Sequence, residues 1–236
     1  MKHARAVVVT VAGLVLVAVG AVLSGGTGAQ EGTYTETFAL DQCNFSSTGS
    51  NPYFVLQPGH QLVLAGKEHG KEAQLTITVL NETKQIAGVE TRVVEERETQ
   101  DGKLAEVSRN YFAMCQRTNS VFYFGESVDI YKGGRVASHE GSWEAGEHGA
   151  RAGLMMPGIV LLGARYYQEI APGTAMDQAE IRSLTKTLQT PAGGFRNCLE
   201  VGESTPLEPG PMEFKFYAPG VGLVKYGLLE LVSLPR

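Results

Sequence analysis

The chain has 236 residues, of which 43% are hydrophobic and 19% are charged, a balance that fits a packed globular core. It carries 25 acidic and 20 basic residues without a basic stripe, which argues against a nucleic-acid partner. Its 29 glycines and 10 prolines favour turns and short strands over long helices.

The first 29 residues have the layout of an export signal. Lys2 and Arg5 precede the uncharged residues 6–23, and the small residues Thr27 and Ala29 occupy positions −3 and −1 of a cleavage site. We therefore predict a signal peptide over residues 1–29 and a periplasmic or extracellular protein. The alternative is an uncleaved anchor, because such a run of 18 residues can just span a bilayer.

Residues 30–236 are predicted to form a single β-rich domain. All 25 acidic and 18 of the 20 basic residues fall in this part, which leaves it a net charge of −7 and suits a soluble extracytoplasmic protein. We find in it no linker, no convincing repeat and no further stretch that is long and apolar enough to span a membrane.

Period-two alternation of apolar residues predicts hairpin-linked strands in the first half of this domain. The Gln100-Asp101-Gly102-Lys103 tetrapeptide is a strong turn signal, because Gly accepts the positive φ that a tight hairpin needs. Turns are also predicted over 117–120 and 132–134. The predicted strands are QLTITVL at 74–80, VETRVVEERE at 89–98, 104–114, VFYFGE at 121–126 and VDIY at 128–131.

X-Pro-Gly steps divide the rest of the chain, because Pro and Gly suit the two central positions of a turn. They occur at 57–59, 156–158, 171–173, 208–210 and 218–220. Further strands are predicted at 164–170, 179–189, 195–204, 211–218 and 222–232. A sheet of roughly ten to thirteen strands has to curl to cover its apolar face. We therefore predict an all-β fold, an antiparallel meander that forms a barrel or a strongly curved half-barrel.

Several segments resemble a group of uncharacterised exported bacterial β-rich proteins. NPYFVLQPGHQLVLAG at 51–66 is similar to the NPYFPLxPGxxxxYEG opening of that group, and later segments such as HEGSWEAG and APGVGLVK are similar to its later blocks. The resemblance covers most of residues 51–226 and implies export and a β-rich fold. It implies no cofactor and no catalytic residue. Val63 and Leu64 stand where the group often has an aromatic residue followed by Glu, which disfavours a polar site there.

The sequence contains no motif for nucleophilic catalysis and no Gly-rich phosphate-binding loop. The zinc-protease pattern H-E-x-x-H also fails, because Trp143 stands where its second histidine would be. The stretch SHEGSWEAGEHGA at 138–150 offers His139, Glu147 and His148 as ligands for Zn²⁺ or Cu²⁺. We favour a strand that runs into a polar turn instead. This interpretation predicts a buried Trp143 and exposed Glu147 and His148, with no metal and no other cofactor.

Three cysteines leave one thiol unpaired after a single disulfide forms in an oxidising compartment. We predict a Cys115–Cys198 disulfide, because both residues lie in predicted strands, and a free Cys43. A bridge from Cys43 to either of the others would instead fasten the polar segment 41–51 to the sheet.

Aromatic residues are plentiful, and neighbours along a strand point to opposite faces of the sheet. A second layer, an end cap or a ligand has to cover part of them. We predict that the protein binds a small or lipidic apolar ligand within the curved sheet, rimmed by the X-Pro-Gly loops. The predicted ligand-binding residues are Tyr111, Phe122, Phe124, Trp143, Tyr166, Phe214 and Phe216. The alternatives are an extracellular hydrolase that uses acidic residues and His139, or a cell-envelope interaction protein.

Overall fold

β-strands make up most of the computed structural model, which describes residues 33–208 and 210–234. The predicted signal peptide, residues 1–29, lies outside the described residues. A short 3₁₀ turn, Leu40–Gln42, precedes the strands. The strands are β1 Phe45–Ser46, β2 Gly49–Asn51, β3 Phe54–Leu56, β4 Gln61–Glu68, β5 Lys71–Ile86, β6 Val89–Gln100, β7 Lys103–Cys115, β8 Ser120–Lys132, β9 Arg135–Ser138, β10 Trp143–Glu144, β11 Arg151–Met156, β12 Arg165–Tyr167, β13 Glu169–Ile170, β14 Gln178–Thr190, β15 Gly193–Ser204, β16 Glu213–Ala218, β17 Gly222–Tyr226 and β18 Leu229–Ser233.

Sixteen of these strands belong to one antiparallel sheet that curls into a nearly closed barrel. Its main path runs β12-β14-β15-β16-β17-β18-β4-β5-β6-β7-β8-β11-β13. The two ends of this path, β12 and β13, are separated along the chain by Gln168 alone, so the edges of the sheet meet there and leave one unsealed seam. The all-β, barrel-shaped antiparallel meander predicted from the sequence is confirmed.

The predicted hairpin at Asp101 and Gly102 is confirmed. Both residues have positive φ, of 48° and 71°, and Gln100 pairs with Lys103 across the turn. Two further hairpins use the same backbone conformation with less typical residues, His69 before Gly70 and Ala87 before Gly88. Tight two-residue turns of this kind match the twist of the flanking strands, which allows the long meander from β4 to β8.

The turn predictions fail at two places. The predicted strand over 222–232 is two strands, because Gly227 adopts a φ of 54° and starts a hairpin. The X-Pro-Gly step at 156–158 does not use a positive φ at Gly158, unlike the steps that end at Gly59, Gly173 and Gly220. A Cβ at Gly158 would stand 1.8 Å from the carbonyl oxygen of Thr118, so this glycine serves close packing.

The segment before β2 covers part of the outer face of the barrel. The ring of Phe45 packs edge-on against Phe122 and Phe124, at centroid distances of 5.9 and 5.3 Å, and Phe38 also contacts Phe122. A disulfide joins Cys43 to Cys115 and fastens this segment to β7. The segment therefore covers the outer aromatic rings of β8, while its strand β1 pairs with the end of β7 in the sheet.

The predicted Cys115–Cys198 disulfide is wrong. Cys115 pairs with Cys43, and Cys198 is a buried free thiol on β15. The alternation of side chains along β7 explains the error, because Cys115 shares the outer face with Tyr111 and Ala113 and meets the covering segment there.

Among the described residues, no helix has the length and apolar character needed to cross a membrane.

Candidate binding cavity in the barrel

A cavity of about 70 Å³ lies inside the barrel, beneath the loops at one end. Its walls come from alternate residues of neighbouring strands, because in a strand every second side chain points inward. The apolar wall residues are Leu62, Leu75, Ile77, Val79, Val94, Phe112, Met155 and Leu223.

Residues 51–60 form a lid over this cavity, and Tyr53, Phe54, Val55 and His60 are part of its lining. Asn51 is fully buried at the base of the lid and accepts a hydrogen bond from the Tyr53 N–H at 2.9 Å. At the other end of the lid, Nε2 of His60 lies 2.9 Å from the carbonyl oxygen of Val221. The lid is thus held at both ends.

Two of the predicted X-Pro-Gly loops lie at this mouth. Gln57 accepts a turn hydrogen bond from the His60 N–H at 3.0 Å, within the 57–59 step. Gly220, in the 218–220 step, donates its N–H to the carbonyl oxygen of Pro52 at 2.7 Å. The loop on the neighbouring hairpin therefore supports the lid directly.

Polar side chains form the floor of the cavity. Lys215 and Glu96 line it together with Tyr217 and Tyr226. Nζ of Lys215 lies 2.6 Å from a carboxylate oxygen of Glu203 and 5.0 Å from the centre of the Tyr226 ring. A ligand in this cavity would meet apolar walls on most sides and an ion pair with hydroxyl groups at one end.

Below the floor, acidic side chains from five strands and one loop face the interior. They are Glu96, Glu98, Glu106, Glu126, Glu169, Asp177 and Glu203. Lys215 is the basic residue that lies among them and counteracts part of their charge. We call these seven residues the interior acids.

Burial raises the pKa of several interior acids, and the charge of their acidic neighbours raises it further. The pKa of Glu98 rises to about 7, that of Glu126 to about 8 and that of Glu106 to about 9. Burial also raises the pKa of Glu169 and of the adjacent Asp177. Burial also raises the pKa of Glu96, which lines the cavity. Near neutral pH, part of this cluster is therefore protonated and can donate hydrogen bonds.

Burial alone would lower the pKa of Lys215, but the Glu203 carboxylate outweighs that effect and the pKa rises well above its usual value. The ammonium group therefore stays charged inside the barrel. It supplies a fixed positive charge at the boundary between the apolar cavity and the interior acids.

A row of aromatic rings runs inward from the lid. Phe54 packs on Phe112, Phe112 on Tyr123, and Tyr123 on Trp143, with centroid distances of 5.1, 4.7 and 5.2 Å. The Tyr123 hydroxyl donates a hydrogen bond to the side-chain oxygen of Asn110. Two buried groups among the described residues have no hydrogen-bond partner in the protein, Nε1 of Trp143 and the hydroxyl of Tyr166.

The seven predicted ligand-binding residues are not among those that line the cavity. Tyr111, Phe122 and Phe124 are buried beneath the outer layer or against outer side chains. Phe214 and Phe216 alternate with the inward Lys215 and so lie on the outer face. Trp143 and Tyr166 point into the barrel but are packed deeper, near Glu126 and Glu203.

The stretch 138–150 contains the predicted polar turn but not the predicted continuous strand, because β9 ends at Ser138, residues 139–142 form a turn, and only the two residues of β10 precede the polar turn. Trp143 is buried, whereas Glu147 and His148 are exposed, as predicted. Nδ1 of His139 lies 2.8 Å from a carboxylate oxygen of Asp129, and the imidazole is largely exposed. Within the part of the chain that the structure describes, no group of three or more His, Cys, Asp or Glu residues is arranged to hold a metal ion.

His139 and the interior acids lie on opposite sides of the sheet. Asp129 alternates with the buried Val128, so the His139–Asp129 pair is on the outer face. The structure therefore does not bring His139 together with the buried carboxyl groups that a hydrolase would need beside it.

The cavity residues that sequence reasoning missed come from the lid and from strands β4, β5, β6, β16 and β17. The alternation in QLTITVL does identify Leu75, Ile77 and Val79 as one face. The alternation does not mark Glu96 or Lys215 as inward-facing, because other charged residues lie on the opposite face of the same strand or in the adjoining loop.

Comparisons with models of protein families, with curated proteins and with solved structures find no match. The resemblance to exported bacterial proteins therefore stays a prediction.

Proposed function

We propose that this chain is an exported protein that binds a small apolar molecule inside the barrel, beneath the lid of residues 51–60. The observation that carries this proposal is the apolar cavity under a lid that is fastened at both ends. Concave, mostly apolar sites with a few placed polar groups are typical of small-molecule binding.

The volume of the cavity favours a small ligand over a lipid. A dry apolar cavity of about 150 Å³ accepts benzene, and this cavity is about half that size. The ring of Phe54 occupies the upper end, so a movement of the lid would enlarge the space. We therefore expect a ligand of about one ring or a short alkyl chain, with its polar end toward Lys215 and Glu96.

Export is supported by the Cys43–Cys115 disulfide, because such bonds persist in oxidising compartments. The predicted cleavage near Gln30 adds to this support from the sequence alone. N-terminal sequencing of the protein from the periplasm or the culture medium tests this cleavage, and we expect a start at or near Gln30. An intact Met1 in a membrane fraction would contradict cleavage.

Thermal unfolding with a graded series of probes tests the binding proposal. Benzene, indole, naphthalene and palmitate span the sizes from one ring to a lipid. A probe at about 100 times its Kd adds about 2.7 kcal/mol to the free energy of unfolding, or about 5–10 °C in a domain of this size. We expect such a rise with the smallest probes and none with palmitate.

Two matched variants make the result specific. Ile77→Trp fills the cavity and should abolish the rise, whereas Val136→Trp adds the same side chain at an exposed position and should preserve it. No rise with any probe, or an equal rise in Ile77→Trp, would contradict the proposal.

A further inference from the structure

An apolar loop projects from the barrel between β11 and β12. Ile159, Leu161 and Leu162 are 78, 63 and 69% exposed. No charged residue occurs from 152 to 164, the stretch AGLMMPGIVLLGA. Exposed apolar side chains that cluster in one loop, unlike those scattered singly, indicate a surface that meets something apolar.

The loop is fixed in this exposed position. Gly158 packs against the carbonyl oxygen of Thr118, where no side chain fits, and its N–H donates to the Ser120 hydroxyl at 3.0 Å. At the other side, the Gly163 N–H donates to the carbonyl oxygen of Ile181 at 2.9 Å. Val160 turns inward and packs against the core. The three exposed side chains are therefore held outward by a braced backbone.

The same loop lies beside the mouth of the cavity. The side-chain amide of Asn51, at the base of the lid, donates hydrogen bonds to the carbonyl oxygens of Pro157 at 3.0 Å and Asn119 at 2.8 Å. Met155, just before the loop, lines the cavity. Whatever covers the loop is thus next to the lid.

The described chain also begins near this loop. Thr35 forms a parallel bridge with Tyr166, and the Tyr34 ring packs against Tyr167. Because the bridge is parallel, the residues before Thr35 run beside those before Tyr166, toward the loop.

We propose that Ile159, Leu161 and Leu162 insert into the surface of a lipid bilayer and hold the mouth of the barrel against it. The strength of such a contact scales with the apolar area that leaves water, which the three exposed side chains supply. A stable protein partner would bury about 800 Å² on each side, far more than three side chains at a loop tip offer. This contact stands apart from ligand binding and has its own readout.

Quenching of an added tryptophan by brominated lipids tests the contact. The protein, in the form isolated from the producing cell, is mixed with phosphatidylcholine vesicles that carry brominated acyl chains. The buried Trp143 of the wild type gives the baseline. We expect Leu161→Trp to lose fluorescence on these vesicles and to keep it on vesicles without bromine. Because the contact is apolar, the loss should persist at about 1 M salt.

Leu228→Trp is the matched control, since Leu228 is 67% exposed in the hairpin between β17 and β18, away from the lid. Its fluorescence should not change. Leu162→Trp replaces Leu161→Trp if that variant does not fold. Equal emission with and without bromine in the loop variants overturns the proposal. A dimer that Leu161→Asp converts to a monomer, without quenching, would assign the loop to a second copy of the chain and also overturn it.

Discussion

At the scale of single residues, the interior of the barrel is unusual in holding carboxyl groups beneath an apolar cavity. Each of Glu98, Glu106 and Glu126 would be ionised in water at neutral pH, but burial and acidic neighbours raise their pKa values to about 7–9. Lys215 already forms an ion pair with Glu203. Protonation is therefore the way in which the fold tolerates the remaining acids.

These acids set the pH dependence of stability. Their folded pKa values lie above the unfolded value near 4.5, so the folded protein binds more protons than the unfolded one between about pH 4.5 and 9. The free energy of unfolding then falls as the pH rises through this range, by about 1.4 kcal/mol per pH unit for each such group. We expect a lower free energy of unfolding at about pH 9 than at about pH 5, measured by denaturant titration.

Glu106→Gln and Glu126→Gln should reduce this loss, because a neutral amide does not ionise. The exposed Glu147→Gln is the control and should unfold like the wild type at each pH. A wild type that gains stability toward pH 9, or amide variants that lose more than the wild type does, would contradict the assignment of the interior acids.

Trp143 and His148, five residues apart, should differ widely in their contribution to stability. Trp143 is buried and packs on Tyr123, so Trp143→Ala should lower the free energy of unfolding by about 3–5 kcal/mol. His148 is exposed, and His148→Ala should change it by no more than about 0.5 kcal/mol. Denaturant unfolding measures both. Similar losses in the two variants would indicate that the turn takes part in the core.

At the scale of elements, the segment 38–51 shows where prediction from the sequence ends. Its polar composition predicts a surface segment, and the pairing of adjacent aromatics on β8 predicts that something must cover Phe122 and Phe124. The structure joins these two facts, because Phe45 and Phe38 provide the cover. Which side chains the segment covers depends on where it is placed on the sheet, and no local pattern in residues 38–51 indicates that its β1 pairs with β7.

The Cys43–Cys115 disulfide fastens this covering segment and closes a loop with a sequence separation of 72. In the chain-entropy model such a loop stabilises the fold by about 4 kcal/mol. Cys43→Ser should therefore unfold at lower denaturant, and a reductant should shift the wild type to the same midpoint. Cys198→Ser should keep its response to reductant, because Cys198 is not in the bond. A reductant-insensitive wild type would contradict the pairing.

At the scale of the whole molecule, the meander from β4 to β8 follows from alternation and from turns such as Asp101-Gly102, and the sequence predicts it well. Closure of the barrel near Gln168 does not follow from local patterns. It requires β13 to pair with β11 at one end of the sheet and β12 to pair with β14 at the other, and no turn signal in the sequence specifies these pairings. The cavity depends on that closure. Alternation in the sequence identifies part of its apolar wall, such as Leu75, Ile77 and Val79, as one face of a strand. No sequence pattern identifies the lid of residues 51–60 or the floor residues Glu96 and Lys215 as part of a cavity.

The central claim is that a small apolar molecule occupies the cavity beneath Phe54. A crystal structure of the protein with benzene tests it most directly. We predict density for the ring between Ile77, Phe112 and Leu223, with the lid displaced to make room for it, and none in Ile77→Trp. A cavity that remains without benzene at saturating concentration, or that holds only ordered water on Lys215 and Glu96, would contradict the account.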